Sequence, residues 1–321
     1  MDVLVDLPAL GAKVCPMTTF KIGSRGSALA LAQADWVKRK LEETGLNVEI
    51  TVIKTSGDRF VDRTIQSLGG KGIFTKEIED ALLSREIDLA VHSMKDLPTE
   101  VPQGLAIAAV PQREDARDVL VSRKDTPLKH LPKGAQLATG SLRRKSQILN
   151  YRSDLAIVPI RGNVDTRLKK LFEQGLDAIV LAAAGLKRLG REDRITEYLT
   201  PDICLSAVAQ GALAIETRDD GPSRQSVTFL HHDPTFTEVT AERSFLRKLG
   251  GGCHVPVAAR AFIEGELLNL TGMVAEPDGR RLCRDRIVGP KAQAAALGTE
   301  LAERLIRAGA GEMLAGVIRG V

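Results

Sequence analysis

An acid and a lysine stand side by side in residues 91–98, where Lys95 and Asp96 follow an apolar run typical of a buried strand. Ligands of open α/β sheets bind beyond the carboxyl ends of the strands, so both side chains lie where a site is expected. An ionised aspartate beside a cation can stabilise a positive charge that develops in a closed site. The alternative is an ordinary charged loop in which Asp96 caps the next turn, and spacing alone does not decide between the two.

A cysteine in a glycine-rich loop is the second candidate. Cys253 follows three glycines and precedes His254, so its thiol can be exposed and act as a nucleophile. Three glycines also simply end a helix, and a lone cysteine is often buried and inert. The residues alone leave both interpretations open. The remaining cysteines lack such a setting and are predicted to be structural or incidental: Cys15, Cys204 and Cys283.

Arginines recur where a predicted strand ends and a helix begins. The free N–H groups of helix starts favour anions, and a guanidinium matches a carboxylate with two hydrogen bonds. Any one of these arginines could be a solvated surface residue, but the set predicts a cleft for a ligand with several carboxylates. Phosphate fits equally well, although residues 69–72 (GGKG) are not a phosphate-binding loop and are predicted to form a hinge or lid. The arginines are Arg25, Arg143, Arg144, Arg161, Arg167 and Arg188.

The elements that would position these residues form two similar halves and a third unit. Strand-like and helix-like patterns alternate from residue 20 and start over near residue 135, which predicts mostly parallel sheets covered by helices. Asp165 is predicted to cap one of these helices. Beyond the break at residues 219–224, the pattern predicts an α+β domain. It consists of a helix at 237–249, strands at 257–263, 267–274 and 282–288, and two closing helices.

Composition excludes several function classes. The chain has 321 residues, a formal net charge of only +4 and 3% aromatic residues, which argues against nucleic-acid binding. No apolar run is long enough to span a bilayer, and residues 1–17 are acidic and make a poor signal peptide. The cysteines lack metal-site spacing, so no metal is expected, and a reducing cytoplasmic location fits.

Six motifs, in order along the chain, resemble those of the porphobilinogen deaminase family. They are residues 91–98 (VHSMKDLP), 140–144 (GSLRR), 161–167 (RGNVDTR), 181–190 (LAAAGLKRLG), 209–212 (AQGA) and the segment from Glu242 to Cys253. The resemblance covers nearly all of the chain beyond its first seventeen residues. Two positions depart from the pattern of some members, Ser67 in the predicted lid and His254 after the cysteine.

The resemblance implies a fold and a domain plan. Two α/β domains like those of type 2 periplasmic binding proteins would flank an active cleft, and a small α+β domain with a three-stranded antiparallel sheet would carry the cysteine. The limits expected are 18–112 with 209–230 for domain 1, 113–208 for domain 2, 231–321 for domain 3, and an N-terminal extension at 1–17.

The resemblance also implies an activity. Members are transferases of tetrapyrrole biosynthesis, and they condense four porphobilinogen molecules on a dipyrromethane cofactor bound through a thioether. Here the thioether would form at Cys253. Asp96 would assist loss of ammonia from porphobilinogen and stabilise the cation that results. Water would then release hydroxymethylbilane. A monomer is expected, with porphobilinogen as the substrate.

Residue by residue, the resemblance assigns three groups. Asp96 and Lys95 would be catalytic. The cofactor would be held by Cys253, Lys95, Asp96, Arg143, Arg144, Ser141, Thr139 and Ser27. The substrate would be bound by Arg25, Ser27, Arg161, Arg167, Arg188, Gln210 and Lys71.

Two other functions compete with this assignment. A non-enzymatic binder of a polycarboxylate or another anion would explain the arginines, but it gives Cys253 no role. A cysteine hydrolase would use Cys253 with His254, yet chain neighbours rarely aim at each other as nucleophile and base, and no third orienting group is evident.

Overall fold

The computed structural model describes residues 19–55, 75–219, 221–250 and 255–319. The strands are β1 (Phe20–Ser24), β2 (Val48–Val52), β3 (Leu89–Ser93), β4 (Leu105–Ala109), β5 (Asp118–Ser122), β6 (Gln136–Ala138), β7 (Ala156–Val158), β8 (Ala178–Ala182), β9 (Glu197–Tyr198), β10 (Leu213–Arg218), β11 (Val257–Glu264), β12 (Leu267–Ala275) and β13 (Leu282–Pro290). The α-helices are α1 (Ala28–Glu42), α2 (Lys76–Leu83), α3 (Leu142–Tyr151), α4 (Val164–Glu173), α5 (Ala183–Arg188), α6 (Pro222–Ser226), α7 (Asp233–Lys248), α8 (Ala294–Leu305) and α9 (Gly311–Arg319).

The first two sheets repeat one topology. Their strand orders are β2-β1-β3-β10-β4 and β7-β6-β8-β5-β9. The fourth position is occupied by β10 in the first sheet and by β5 in the second. Each of these is the first strand formed after the chain crosses over from the other sheet. Those strands, β10 and β5, pair antiparallel with both neighbours, whereas the pairs around β1 and β6 are parallel. This confirms the predicted pair of domains of the type 2 periplasmic-binding-protein class. The exact domain limits stay a prediction.

The helix α1 shows how the sequence specifies its own boundaries. The Ser27 hydroxyl accepts a hydrogen bond from the Ala30 amide at 3.3 Å and so caps the helix start. Ala34, Val37 and Leu41 recur at helical spacing and are fully buried against the first sheet. Burial of a side chain the size of Val37 or Leu41 contributes about 1.5–3 kcal/mol.

Two helix starts differ from the sequence expectation. Asn163 rather than Asp165 caps α4, because the Asn163 side-chain oxygen accepts a hydrogen bond from the Thr166 amide at 2.9 Å. The prediction for Asp165 was therefore wrong. This acid lies inside the first helical turn, where its negative charge interacts favourably with the positive end of the helix dipole. The helix α7 begins at Asp233, four residues before its predicted start, where His232 supplies the capping side chain.

The third sheet is antiparallel in the order β11-β12-β13, as predicted, and α7 and α8 pack on it. Phe245 of α7 is fully buried and lies between two glycines. A Cβ on Gly272 would come within 2.6 Å of the Phe245 ring, and a Cβ on Gly298 would overlap the carbonyl oxygen of Ala241. Both positions therefore need glycine for α7 to approach the sheet and α8 this closely.

Within the described ranges, no helix has both the length and the hydropathy needed to cross a bilayer. The same residues hold no group of three or more His, Cys, Asp or Glu side chains arranged to bind a metal ion.

Candidate active site

A single turn of 3₁₀ helix, Met94–Asp96, directly follows β3 and presents the lysine and the acid. The Met94 amide donates to the carbonyl of Ala212 at 3.0 Å, and the Leu97 amide donates to the carbonyl of Met94 at 3.3 Å. The side chains of Met94 and Leu97 are buried in the core that also contains Phe245. With its flanking residues anchored inside, the turn directs Lys95 and Asp96 into a cleft.

The cleft has two adjoining recesses that share part of their lining. Their common wall contains Leu29, Gln33 and Ser93, and the Gln33 amide donates to the Ser93 hydroxyl at 3.0 Å. The first recess is lined by Lys95, Arg144, Arg167 and Arg188, and the second by Arg25, Ser27, His92 and Asp96. The structure thus brings together seven of the fourteen predicted site residues along these recesses.

Two arginines of the first recess are desolvated cations. Burial lowers the pKa of Arg167 and that of Arg188 to about 10. Each guanidinium donates to a backbone carbonyl, Arg167 to Gly162 at 2.8 Å and Arg188 to Gly211 at 2.7 Å. Among the described residues, neither has a carboxylate within ion-pair distance. A carboxylate of a ligand would supply the missing counter-charge.

Lys95 bridges the two α/β domains. Its ammonium donates to the side-chain oxygen of Gln210 at 3.3 Å, and the Gln210 amide donates to Asp118 at 2.9 Å. Burial lowers the pKa of Lys95 from 10.5 to about 8; the nearby Asp96 raises it and Arg144 lowers it further. The charge of Lys95 is therefore sensitive to pH near neutrality.

Arg143 and Arg144, adjacent in sequence, serve different purposes. The Arg143 guanidinium is buried and donates to Asp118 at 2.6 Å and to the carbonyl of Leu205 at 2.7 Å. Arg143 lines neither recess, and its hydrogen bonds are made inside the protein. The predicted contact of Arg143 with the cofactor therefore stays a prediction. Arg144 also donates to Asp118, at 2.8 Å, but it reaches the first recess as well.

Asp118 is the residue that sequence reasoning missed. It is fully buried at the start of β5 and accepts hydrogen bonds from both arginines and from Gln210. Burial alone would raise the pKa of this carboxyl, but Arg143 and Arg144 hold it well below its usual range. The available signal was an acid that opens an otherwise apolar strand, where only a buried partner could keep it charged.

Other predicted contact residues have local structural roles. The Ser141 hydroxyl caps α3 by accepting from the Arg144 amide at 3.4 Å, and the Thr139 hydroxyl accepts from the Ser141 amide at 3.2 Å. Arg161 is exposed and lines neither recess. Contacts of these residues with a ligand stay predictions.

Two predicted site residues, Cys253 and Lys71, lie outside the described residues, as do Ser67 and His254. The chain is described up to Gly250, just after α7, and again from Val255, whose side chain is buried in the core that holds Met94 and Leu97.

Comparison with known proteins identifies close relatives. Residues 20–226 match the family model "Porphobilinogen deaminase, dipyromethane cofactor binding domain", and residues 236–307 match "Porphobilinogen deaminase, C-terminal domain". The porphobilinogen deaminase of Pelobacter propionicus is 50% identical over 297 residues, which is 92% of this chain and 96% of the relative. That of Pelotomaculum thermopropionicum is 52% identical over 296 residues, 91% of this chain and 95% of the relative.

Proposed function

We propose, because this chain belongs to the porphobilinogen deaminase family, that its cleft joins four porphobilinogen molecules head to tail with release of ammonia and then frees hydroxymethylbilane by hydrolysis. Such a protein is a transferase of tetrapyrrole biosynthesis. The observation that carries the proposal beyond the family match is the placement of Asp96 beside two recesses lined by cationic side chains.

The cleft suits the family's dipyrromethane cofactor and its substrate. Pyrroles with acetate and propionate arms need several cations, and the desolvated guanidiniums of Arg167 and Arg188 lack a carboxylate partner among the described residues. Lys95 and Arg144 would hold cofactor carboxylates, and Cys253 would form the thioether. When bound, dipyrromethane supplies the free pyrrole carbon at which the chain is extended.

Asp96 would act on the substrate ring. As the protonated amino group leaves the aminomethyl carbon as ammonia, the carbon–nitrogen bond electrons depart with the nitrogen, and the methylene carbon stays on a ring that becomes cationic. A carboxylate that is already fixed beside the ring stabilises this positive charge, because the carboxylate does not have to reorient as the charge develops. Lys95 and the arginines offset the negative charge that the substrate arms add around Asp96.

The substrate-facing side would hold the carboxylate arms. Arg25 and Ser27 line the recess that contains Asp96, which supports a role for them in orienting an incoming ring against it. Arg188 lines the other recess from α5 of the second α/β domain. Binding from both domains would fix the ring and exclude water from the cation.

Replacement of Cys253 with serine is expected to give a protein without cofactor, because a serine hydroxyl does not form the thioether. Intact mass spectrometry of the purified protein should lack the increment of two pyrrole units that is expected of the parent, and Ehrlich's reagent should give no dipyrrole colour. As a matched control, Cys283→Ser replaces a cysteine on β13 and should keep the full increment. A normal holoenzyme mass for Cys253→Ser would rule out this attachment site.

The activity itself is tested by incubating the parent with porphobilinogen. Consumption of the substrate should be matched by an equal release of ammonia, with one hydroxymethylbilane for every four molecules consumed. Binding of porphobilinogen without ammonia release would instead support the binder, which the family match does not favour. The monomeric state and the cytoplasmic location expected from the sequence remain predictions.

The buried charge of Lys95 should leave a signature in the pH dependence of stability. Because its pKa is lowered to about 8, the unfolded chain binds the lysine proton more tightly than the folded chain does. The charge therefore destabilises the cofactor-free protein below pH 8, and this effect is relieved as pH rises towards 10.5. Adding Lys95→Met to the Cys253→Ser protein should stabilise it at pH 7 by on the order of 1–3 kcal/mol.

Urea unfolding of these two proteins between pH 7 and 10.5 measures that difference, which should shrink as the lysine loses its proton. Lys38→Met, which removes a lysine from a surface pair with Glu42, should show no such trend. A difference that stays constant over the whole range would contradict the assignment.

A further inference from the structure

Two arginines of α7 hold the backbone that directly follows Asp96. The Arg243 guanidinium donates to the carbonyl of Pro98 at 2.6 Å and to that of Leu97 at 3.3 Å. One turn later on the helix, Arg247 donates to the carbonyl of Thr99 at 2.9 Å. Three consecutive carbonyls of the loop are thus bound by one helix of the third domain.

Burial of the Arg243 guanidinium carries a desolvation cost. Its side chain is buried, and among the described residues it has no carboxylate within ion-pair distance. Burial lowers its pKa to about 10, and the neighbouring Arg247 lowers it further. A neutral donor could satisfy one carbonyl at a smaller desolvation cost, whereas only a guanidinium spans two with a rigid fork. The arrangement therefore favours fixed geometry over stability.

Apolar packing joins the same two segments. Met94 and Leu97, on either side of the lysine and the acid, are buried in one core with Val239 and Phe245 of α7. The helix then ends at Lys248, and Cys253 follows five residues later in the sequence. The helix α7 therefore packs against the turn that carries Asp96 and precedes Cys253 in the sequence.

We propose that Arg243 is a positioning residue, which by holding the Leu97 and Pro98 carbonyls sets the Asp96 carboxylate relative to the end of α7. Its effect on turnover rests on the proposed function, but its effect on the loop does not. Arg247 would support the same loop from the exposed side.

The test uses the full-length holoenzyme with Arg243→Lys and Arg243→Met. Both keep an unbranched stem but lose the guanidinium fork. We expect kcat to fall by about 10- to 100-fold, because misplacement by about 1 Å costs this much. The KM for porphobilinogen should change by less than about threefold, because Arg243 does not line either recess. The intact mass should still show the bound dipyrrole.

A second readout is independent of activity. Amide hydrogen exchange should become faster at Asp96, Leu97 and Thr99 while the amides of α7 keep their protection, since the loop is released and the helix is not. Lys248→Ala is the matched control, because Lys248 lies on the same helix but pairs with Glu303 at 2.6 Å. It should change neither kcat nor the exchange of the loop.

Unchanged kcat and unchanged loop exchange in both Arg243 variants would overturn the inference. So would a fall in kcat that merely matches a loss of folded protein or of cofactor. Should neither variant fold, Arg247→Ala decides, because this side chain is exposed and its removal should still speed up exchange in the loop. A parent that releases no ammonia from porphobilinogen would contradict the proposed function. The hydrogen-exchange result would still test whether Arg243 holds the loop.

Discussion

Replacing Asp96 with alanine is expected to abolish production of hydroxymethylbilane while the protein keeps its fold. The carboxylate is exposed in its recess, so its removal leaves no buried cavity. Loss of a preorganised charge beside a developing cation should lower kcat by about 10²- to 10³-fold or more. Rates are measured by ammonia release from porphobilinogen, and the fold by circular dichroism and thermal midpoint.

Two further variants sharpen this result. Asp96→Asn keeps the shape but removes the charge, so it should be about as impaired as the alanine variant if charge is what matters. Asp35→Ala removes an exposed acid of α1 that pairs with Arg39 and should turn over normally. Near-normal bilane formation by Asp96→Ala would refute the assigned role.

The second large effect concerns stability. Asp118→Ala is expected to lower the free energy of unfolding by about 3–5 kcal/mol, because it leaves the buried guanidiniums of Arg143 and Arg144 without their common carboxylate. Gln210 loses an acceptor at the same time. The shift of the urea midpoint at pH 7 measures the loss.

Asp154→Ala is the matched control for this variant. Asp154 also accepts two hydrogen bonds from an arginine, Arg152, at 2.7 Å each, but that pair is partly exposed to solvent. Its removal should leave the midpoint nearly unchanged. Equal midpoints for Asp118→Ala and the parent would show that the buried network does not stabilise the fold.

Much of the fold follows from local patterns in the sequence. The spacing of apolar residues predicts the strands and helices that lie on either side of the cleft, and the Ser27 and Ser141 caps fix two helix starts. The strand and helix pattern that starts over near residue 135 reflects a real repeat of sheet topology. These signals are short in range, so a single sequence suffices to find them.

The part that sequence reasoning missed depends on contacts between distant residues. Arg143 and Arg144 are neighbours on one helix and carry the same group, so no local rule tells which one reaches the recess. That choice is made by Asp118, 25 residues earlier than Arg143, and by the carbonyl of Leu205. The hold of Arg243 on Leu97 spans 146 residues and leaves no local signal at all.

Because α7 packs closely on Gly272 and Gly298 around Phe245, these two glycines help to set the position of the helix that holds the loop after Asp96. A methyl group on either glycine would push α7 outward, and the grip of Arg243 on the loop would move with it. Inherited changes at these glycines would then resemble active-site lesions, although the altered atoms never meet a pyrrole. Surveys of harmful variants that look only at the lining of the cleft would overlook them.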